Sequence, residues 1–399
     1  MSVWDDVVGQ PAAVATLRSA AAAARAQALG LPVGDDVVAA AMTHAWLVTG
    51  PPGSGRSVAA RAFAAALLCE DPAEPGCGRC HGCRTTLGGT HPDLRVITTE
   101  RVSFLIEEMR PIVSQAQQAP SQGRWRIMLM EDADRMVERT SNVLLKAIEE
   151  PPPRTVWLLC APSPHDLITT IRSRCRTVAL RVPAPEAVAE LLVRRDGIEH
   201  DVALTAARAA QSHVGMARRL ATDPAAAERR RTILTVPTRI RGVGDAVLAA
   251  GELVELAQTE GKAATEERDA VERAALLRTL GAEGESRLPP NVRSQVKRLE
   301  DNQKSRATRA QRDVLDRAMT DLLSLYRDVL VVQLDVGLPL VNPDLDREVT
   351  ALAAGSSPEH TVRRMDAVST ARTRLAGNVA PLLAMEAMMV ALRPQAGSR

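Results

Sequence analysis

The chain has 399 residues, carries a formal net charge of +2 and contains only 2% aromatic residues. This length predicts two or three domains, each with its own hydrophobic core. The near-neutral charge argues against a strongly basic DNA-binding protein, and the few aromatic side chains argue against a surface that stacks nucleic-acid bases. We see no secretory signal and no run of about 18 uninterrupted apolar residues, which predicts a reducing, cytoplasmic setting without membrane contact.

The first 183 residues alternate between strand and helix patterns. An alanine-rich helix with Pro11 in its first turn comes first. Five short apolar runs then predict buried strands, separated by helical patterns. This alternation predicts a parallel sheet with helices on both faces. The predicted strands are 45–49, 93–97, 126–130, 155–160 and 176–180, and the predicted helices between them are near 57–68, 103–118, 141–149 and 166–172.

The strand patterns end near residue 183. Four short helical patterns between 184 and 237 predict a small lid, and the pattern stays helical from 238 to 399. The charged segment 262–312 predicts a solvated helical arm. Stretches rich in glycine and proline at 30–36 and 281–291 predict loops. Apolar residues at steps of four and three predict one buried helical stripe, formed by Leu315, Met319, Leu322, Tyr326 and Val329.

Residues 50–57, Gly-Pro-Pro-Gly-Ser-Gly-Arg-Ser, follow the pattern of a phosphate-binding loop with one change. The glycines allow backbone N–H groups to surround phosphate oxygens, and the following helix directs its positive end at them. Arginine occupies position 56, where the pattern has lysine, and the two cations are not interchangeable at such a site. The loop therefore predicts either an ATP or ADP site or a structural turn without a ligand. Its candidate binding residues are Gly50, Gly53, Gly55, Arg56 and Ser57.

The predicted strand 126–130 ends in Glu131 and Asp132, where nucleotide-hydrolysing proteins carry the acidic pair called Walker B. The first acid, usually Asp, helps to hold Mg²⁺, and the second, usually Glu, polarises the attacking water. The order here is inverted, which misplaces each carboxylate by about 1.5 Å, and a displacement of about 1 Å can lower a rate roughly a hundredfold. Together with Arg56, the inverted pair predicts impaired hydrolysis.

Four cysteines follow the helix that the glycine loop begins. Two overlapping C-x-x-C steps with a fourth cysteine upstream suit a closed, tetrahedral structural Zn²⁺ site. His81 is an alternative ligand with less suitable spacing, and Cys160 lies on a predicted strand and is expected in the core. The candidate ligands are Cys69, Cys77, Cys80 and Cys83.

Together these segments resemble the clamp-loader branch of the AAA+ family, by motif over residues 3–225 and by architecture beyond. Residues 142–152, Asn-Val-Leu-Leu-Lys-Ala-Ile-Glu-Glu-Pro-Pro, closely resemble the helix after the acidic pair in these proteins. The resemblance implies an α/β AAA+ P-loop module at 1–183 with a zinc module at 69–83. It also implies a helical lid at 184–237 and an all-α collar domain for oligomerisation at 238–399.

The resemblance also implies roles for single residues. Val8, in Val-Val-Gly-Gln, is similar to the segment that lines the adenine pocket. Arg174, in Ser-Arg-Cys, matches the interface arginine that acts on a neighbouring subunit's nucleotide as an arginine finger. Arg218 falls in the segment called sensor 2, which senses phosphate. Ser163 falls near sensor 1, where the usual threonine pair is absent.

Damaged hydrolytic motifs beside an intact Ser-Arg-Cys segment resemble the non-hydrolysing members of the family. The implied role is assembly with gamma/tau and delta subunits of the DNA polymerase III clamp loader, which loads the sliding clamp on primer–template DNA. Two alternatives stay open: a gamma/tau-like ATPase with degenerate motifs, and a zinc-dependent nucleic-acid-binding module.

Overall fold

A computed structural model describes residues 2–30, 42–101, 103–283 and 289–394. The chain divides into two compact units, Met1–Thr222 and Asp223–Arg399. Of the predicted loops, residues 31–36 and 284–288 lie outside the described residues. Among the helices that the structure describes, none combines the length and the apolar character needed to cross a membrane.

The first unit is built on a five-stranded parallel sheet with the strand order β2-β3-β4-β1-β5. Parallel strands need crossover connections, and the helices in these connections cover both faces. The strands are β1 (Ala45–Thr49), β2 (Leu94–Ile97), β3 (Arg126–Met130), β4 (Thr155–Ala161) and β5 (Arg176–Ala179). The helices are α1 (Pro11–Leu29), α2 (Arg56–Leu67), α3 (His81–Leu87), α4 (Ile106–Ala116), α5 (Glu138–Glu149) and α6 (Thr169–Arg172).

Strand β1 is buried along its whole length because both faces of the sheet are covered. Trp46 and Val48 pack in one core with α1 and α2, where the ring of Trp46 meets that of Phe63 edge-on at 5.1 Å. Ala45 and Leu47 pack in the second core with α4 and α5. Successive side chains of a strand point to opposite faces, so a strand buried on both faces is a continuous apolar run.

Three short helices complete the first unit as the predicted lid. They are α7 (Pro185–Asp196), α8 (His200–Ala209) and α9 (Val214–Thr222), and they share a small core that includes Leu192 and Ala203. The next helix, α10 (Pro224–Arg239), packs in the second unit, where Leu234 joins a core with Leu325. The proposed lid boundary at residue 237 stays a prediction.

The second unit is helical, which confirms the predicted all-α region. The predicted stripe lies on α12 (Pro290–Leu334) and is buried. Arg306 joins this helix to α11 (Val243–Thr279) through ion pairs with Asp269 at 2.9 Å and Glu272 at 2.8 Å. The further helices of this unit are α13 (Asp346–Ala354), α14 (Pro358–Ala376) and α15 (Pro381–Leu392). The expected α/β fold, a parallel sheet with helices on both faces followed by a small helical lid and a helical C-terminal region, is thereby confirmed.

A buried carboxylate fixes the loop that leads into β3. Asp93, just before β2, is fully buried and accepts hydrogen bonds from the backbone N–H groups of Ser121, Gln122 and Gly123 at 2.6–2.7 Å. Arg126 adds an ion pair at 3.2 Å. Burial opposes ionisation of Asp93, but the backbone donors outweigh it and hold the pKa of the carboxyl below its usual range.

We expect Asp93→Asn to lower the free energy of unfolding of the first unit by about 3 kcal/mol, because the neutral amide leaves buried N–H donors without partners. Urea unfolding followed by tryptophan fluorescence measures this, since every tryptophan lies in the first unit. The control is Ser121→Ala, which removes one hydroxyl hydrogen bond and should cost about 1 kcal/mol or less. Equal losses in the two variants would contradict the assignment.

The same carboxyl group predicts a pH dependence. Its pKa is lower in the folded chain, so its stabilising contribution is complete above pH about 4 and is lost as the pH falls below that value. The difference in the free energy of unfolding between the native chain and Asp93→Asn should therefore become smaller as the pH falls below about 4.

Candidate functional site

The glycine loop follows β1 at the carboxyl edge of the sheet and leads into α2. Gly53 has a φ angle of +87°, which glycine adopts readily and other residues do not. A Cβ atom on Gly53 would lie 2.9 Å from the Cα atom of His213 in the lid, and one on Gly50 would lie 2.8 Å from the carbonyl oxygen of Leu180. Both positions therefore require glycine in this arrangement.

A buried amide joins the loop to the N-terminal segment. The Nε2 atom of Gln10 donates to the carbonyl oxygen of Ser54 at 3.3 Å and to that of Arg181 at 2.5 Å, and its Oε1 atom accepts from the Arg181 N–H at 3.0 Å. The segment that contains Val8 is thus held beside the loop, as the nucleotide-pocket interpretation expects.

A cavity of about 350 Å³ lies against the glycine loop, within the size range of small-molecule sites. Most of the residues predicted to bind nucleotide line it, and Gly50 and Arg218 are not among its lining residues. The predicted residues that it brings together are Val8, Gly53, Gly55, Arg56 and Ser57.

The cavity has further lining residues that the sequence analysis did not identify. Leu191, Arg195 and His213 come from the lid, and Asp6 comes from the N-terminal segment. These residues belong to no short motif, and the three lid residues reach the cavity only through the packing of the lid against the loop. One usable signal was present, the Arg194-Arg195 pair at the end of a predicted lid helix.

Arg56, which replaces the usual lysine, is half-buried at the start of α2. Its Nη1 group donates a hydrogen bond to the carbonyl oxygen of Gly50. The guanidinium therefore binds the backbone of its own loop. A compact lysine ammonium has a single charged nitrogen and would direct its charge at one point, as the lysine of a phosphate-binding loop does.

The inverted acidic pair at the end of β3 is also bound by cations of its own chain. The Oε1 atom of Glu131 lies 2.8 Å from the Nε atom of Arg61 on α2, and only 18% of the Glu131 side chain is exposed. Asp132 lies 3.9 Å from the Nε atom of Arg135. A cationic partner competes with a metal ion for the carboxylate.

The two predicted sensor residues have local partners. Arg218 forms an ion pair with Asp196 at 3.1 Å, and Asp196 also binds Arg195 at 2.9 Å. One lid carboxylate therefore neutralises two arginines. The Oγ atom of Ser163 accepts a hydrogen bond from the N–H group of His165 and caps a short 3₁₀ turn.

Arg174, the predicted finger, lies after α6 and does not line the cavity. Its Nη2 atom lies 2.7 Å from the Oε1 atom of Glu149, the last residue of α5. Its Nη1 group donates to the carbonyl oxygen of Thr170 at 2.8 Å and to the Oγ atom of Ser173 at 3.3 Å. The side chain is 39% exposed, so it remains accessible from outside the chain.

The four predicted cysteine ligands lie together, with their Sγ atoms within 4.8 Å of one another. A tetrahedral Zn²⁺ with bonds of about 2.3 Å places sulfur atoms about 3.8 Å apart, and the Sγ atoms of Cys69 and Cys80 are 3.8 Å apart. The N–H groups of Cys80 and Cys83 donate to the Sγ atoms of Cys77 and Cys80, which suits thiolate ligands. His81 is exposed and stands outside this cluster.

Hydrogen bonding within the cluster favours a thiolate. The hydrogen bond between the Cys83 and Cys69 side chains lowers the pKa of Cys69 to about 4 and, with burial, raises that of Cys83. By contrast, Cys160 is fully buried in β4, as predicted, and burial raises its pKa to about 12. The cluster suits a metal cation that binds sulfur, because cysteine ligands bind a metal as thiolates and the metal displaces the protons that remain on the thiols.

The parallel sheet and the glycine loop that follows β1 define the class of the first unit as an α/β P-loop module. Residues 35–184 match the family described as "DNA polymerase III, delta subunit". Two curated relatives are DNA polymerase III delta' subunits, from Pseudomonas aeruginosa (38% identical over 154 residues) and Escherichia coli (31% over 177 residues). Through this segment the chain is similar to delta' subunits of DNA polymerase III.

The matches cover part of each protein. They span 38% and 44% of this chain and 47% and 53% of the two delta' subunits, so the chain spans about half the length of the curated relatives it matches. A gamma/tau subunit from Mycobacterium tuberculosis is 30% identical over 155 residues, which are 38% of this chain and 27% of that subunit. A solved gamma subunit-related protein from Thermotoga maritima has a TM-score of 0.39 and 16% identity, covering 88% of this chain and 93% of that one.

The cysteine geometry predicts that the purified chain contains about one metal ion, and that Cys80→Ser removes it because three thiolates hold the ion much more weakly than four. Elemental analysis of protein purified without chelator measures the content. The control is Cys160→Ala, which removes a buried thiol outside the cluster and should retain the metal. Equal metal content in the two variants would contradict the assignment.

Proposed function

We propose that the chain acts as a non-hydrolysing, delta-prime-like subunit of the DNA polymerase III clamp loader in the cytoplasm. It assembles with gamma/tau and delta subunits, and the complex loads the sliding clamp on primer–template DNA during replication. The family match supports this assignment for residues 35–184. The proposal extends this role from the matched residues to the whole chain and adds the partners named above.

One observation carries the non-hydrolysing part of the proposal: the carboxylate of Glu131 is paired with Arg61 at 2.8 Å. Hydrolysis needs an acid free to hold Mg²⁺ and a second acid to polarise water. In this chain the acid at the metal position faces a guanidinium, and Arg56 binds the loop backbone. Glu131 and Arg56 therefore bind groups of their own chain. Neither is then free for its part in hydrolysis, which is to hold the metal for Glu131 and to bind the phosphates for Arg56.

Nucleotide binding is a separate function that the cavity favours. The glycine loop, the apolar side chains of Val8 and Leu191, and about 350 Å³ of space suit a bound ATP or ADP as a structural ligand. Arg195 and His213 would hold the lid side of such a ligand. A nucleotide bound without turnover would stabilise the closed arrangement of lid and loop by mass action.

We also propose that the metal in the cysteine cluster is Zn²⁺ with a structural role. Four cysteine ligands form a closed site without an open position for catalysis. The N–H group of Val3 donates to the carbonyl oxygen of Gly76 within the cysteine module at 3.0 Å, and Arg124 donates to the carbonyl oxygen of Cys69 at 3.3 Å. The metal would therefore fix the surface on which the N-terminal segment lies.

We expect Gly53→Ala to weaken ATP binding by more than about tenfold, because a side chain at φ +87° is strained and its Cβ atom would meet His213. Calorimetric titration of the purified chain with ATP and Mg²⁺ measures the affinity. The matched control is Gly244→Ala, where a Cβ atom has nothing within 4 Å. If Gly53→Ala binds ATP as tightly as the control, the glycine loop does not hold the nucleotide.

We expect Arg174→Ala to lower ATP turnover of the reconstituted complex by about 10³-fold, the lower range for loss of an arginine finger. Steady-state turnover with gamma/tau, delta, clamp and primed DNA measures this, and size-exclusion chromatography should find assembly unchanged. The matched control is Arg172→Ala, whose guanidinium contacts His165. Unchanged turnover in Arg174→Ala would remove the finger assignment. Turnover that persists in the isolated chain would favour the gamma/tau-like alternative.

A further inference from the structure

The pair Glu149–Arg174 joins two elements outside the nucleotide cavity. Glu149 ends α5, within the segment Ala-Ile-Glu-Glu-Pro-Pro, and Arg174 follows the four-residue helix α6. Their side chains meet at 2.7 Å and are 41% and 39% exposed. An ion pair this exposed adds little to stability, so its geometry rather than its energy is the informative feature.

The guanidinium of Arg174 is held on its two outer nitrogens. Nη2 contacts Glu149, and Nη1 donates to the carbonyl oxygen of Thr170 and the Oγ atom of Ser173. Within the part of the chain that the structure describes, the Nε–H group has no hydrogen-bond partner. A guanidinium has five N–H donors in a rigid fork, so one edge stays open while the other contacts fix its direction.

We propose that Glu149 is the positioning residue of Arg174. Its carboxylate holds the guanidinium in one orientation, so that the open Nε edge can reach an anionic phosphate oxygen on a neighbouring subunit. The inference rests on the proposed finger role of Arg174. Glu149 touches no nucleotide and acts only through Arg174. An arginine fixed before assembly loses less rotamer entropy when it meets the phosphate, which is how preorganised groups act.

A restraining role for Glu149 makes the opposite prediction. The carboxylate reduces the net charge of the pair, and a carboxylate that only competed with the phosphate would slow the reaction. Removing Glu149 would then raise turnover, whereas removing a positioning residue lowers it. The sign of the change therefore separates the two roles.

The test uses the reconstituted complex with gamma/tau and delta, and measures kcat and KM for ATP. We expect Glu149→Ala to lower kcat by about tenfold or more with KM within about twofold, because a displaced guanidinium loses contact in the transition state only. Glu149→Gln should recover most of kcat, since its amide oxygen can still accept from Nη2. The matched control is Glu150→Ala, the exposed neighbour, which should leave kcat unchanged.

The double variant Glu149→Ala/Arg174→Ala separates positioning from a general structural effect. If Glu149 acts only through Arg174, the double variant loses no more than Arg174→Ala alone. Additive losses, or a kcat for Glu149→Ala equal to or above that of the native complex, would overturn the inference while leaving the finger role in place. Full turnover in Arg174→Ala would instead contradict the proposed finger role, on which the positioning role of Glu149 rests.

Discussion

Arg61 and Glu131 connect the helix after the glycine loop to the end of strand β3 through contact at 2.8 Å. Both elements are fixed by the sheet, because β1 and β3 are buried on both faces and α2 packs across them. The pair therefore cannot separate without a side-chain rearrangement at the point where a metal would bind. In free energy such a partly exposed pair is worth about 1 kcal/mol or less. Its consequence is chemical, since it places a cation on the acid that hydrolysis needs.

Four arginines of the first unit bind groups of that unit but lie at different places. Arg56, Arg61 and Arg218 bind groups of their own unit, at the loop backbone, at Glu131 and at Asp196. Arg174 is held by Glu149 and Thr170 but remains 39% exposed and away from the cavity. The cations beside the two degenerate motifs, Arg56 and Arg61, are therefore occupied, whereas Arg174 lies outside the cavity and is oriented by Glu149, as the proposed action on a neighbouring subunit's nucleotide requires.

Much of the fold could be predicted from the sequence. Strands 45–49 and 126–130 were predicted with their observed bounds, because buried parallel strands are continuous apolar runs with abrupt ends. The cysteine cluster was predictable because its ligands are close in sequence. The short helix α3 was not predicted, since it has only seven residues and directly follows its N-cap, the ligand Cys80. Helix α6 is four residues long, where the pattern 166–172 predicted a longer helix.

The candidate site was predictable only where it rests on local motifs. The glycine loop and its neighbours Val8 and Ser57 line the cavity, as their motifs indicate. Arg195 and His213 were missed because the packing of the lid brings them there. The ion pairs could not be predicted either, because nothing in the sequence spacing of Glu131 and Arg61 indicates that their side chains meet. The partners of arginines depend on tertiary packing, and the sequence identifies the charges without their pairings.

We propose that the glycine loop can hold a nucleotide that this chain does not hydrolyse. A single-turnover experiment tests it most directly: a small amount of radiolabelled ATP with Mg²⁺ is bound by excess isolated chain, quenched at intervals and resolved into ATP and ADP. We expect ATP to bind and to remain intact over the full time course, both in the native chain and in Arg56→Lys, since Glu131 is still paired with Arg61. Release of ADP from the native chain, at a rate that falls in Arg56→Ala, would contradict it.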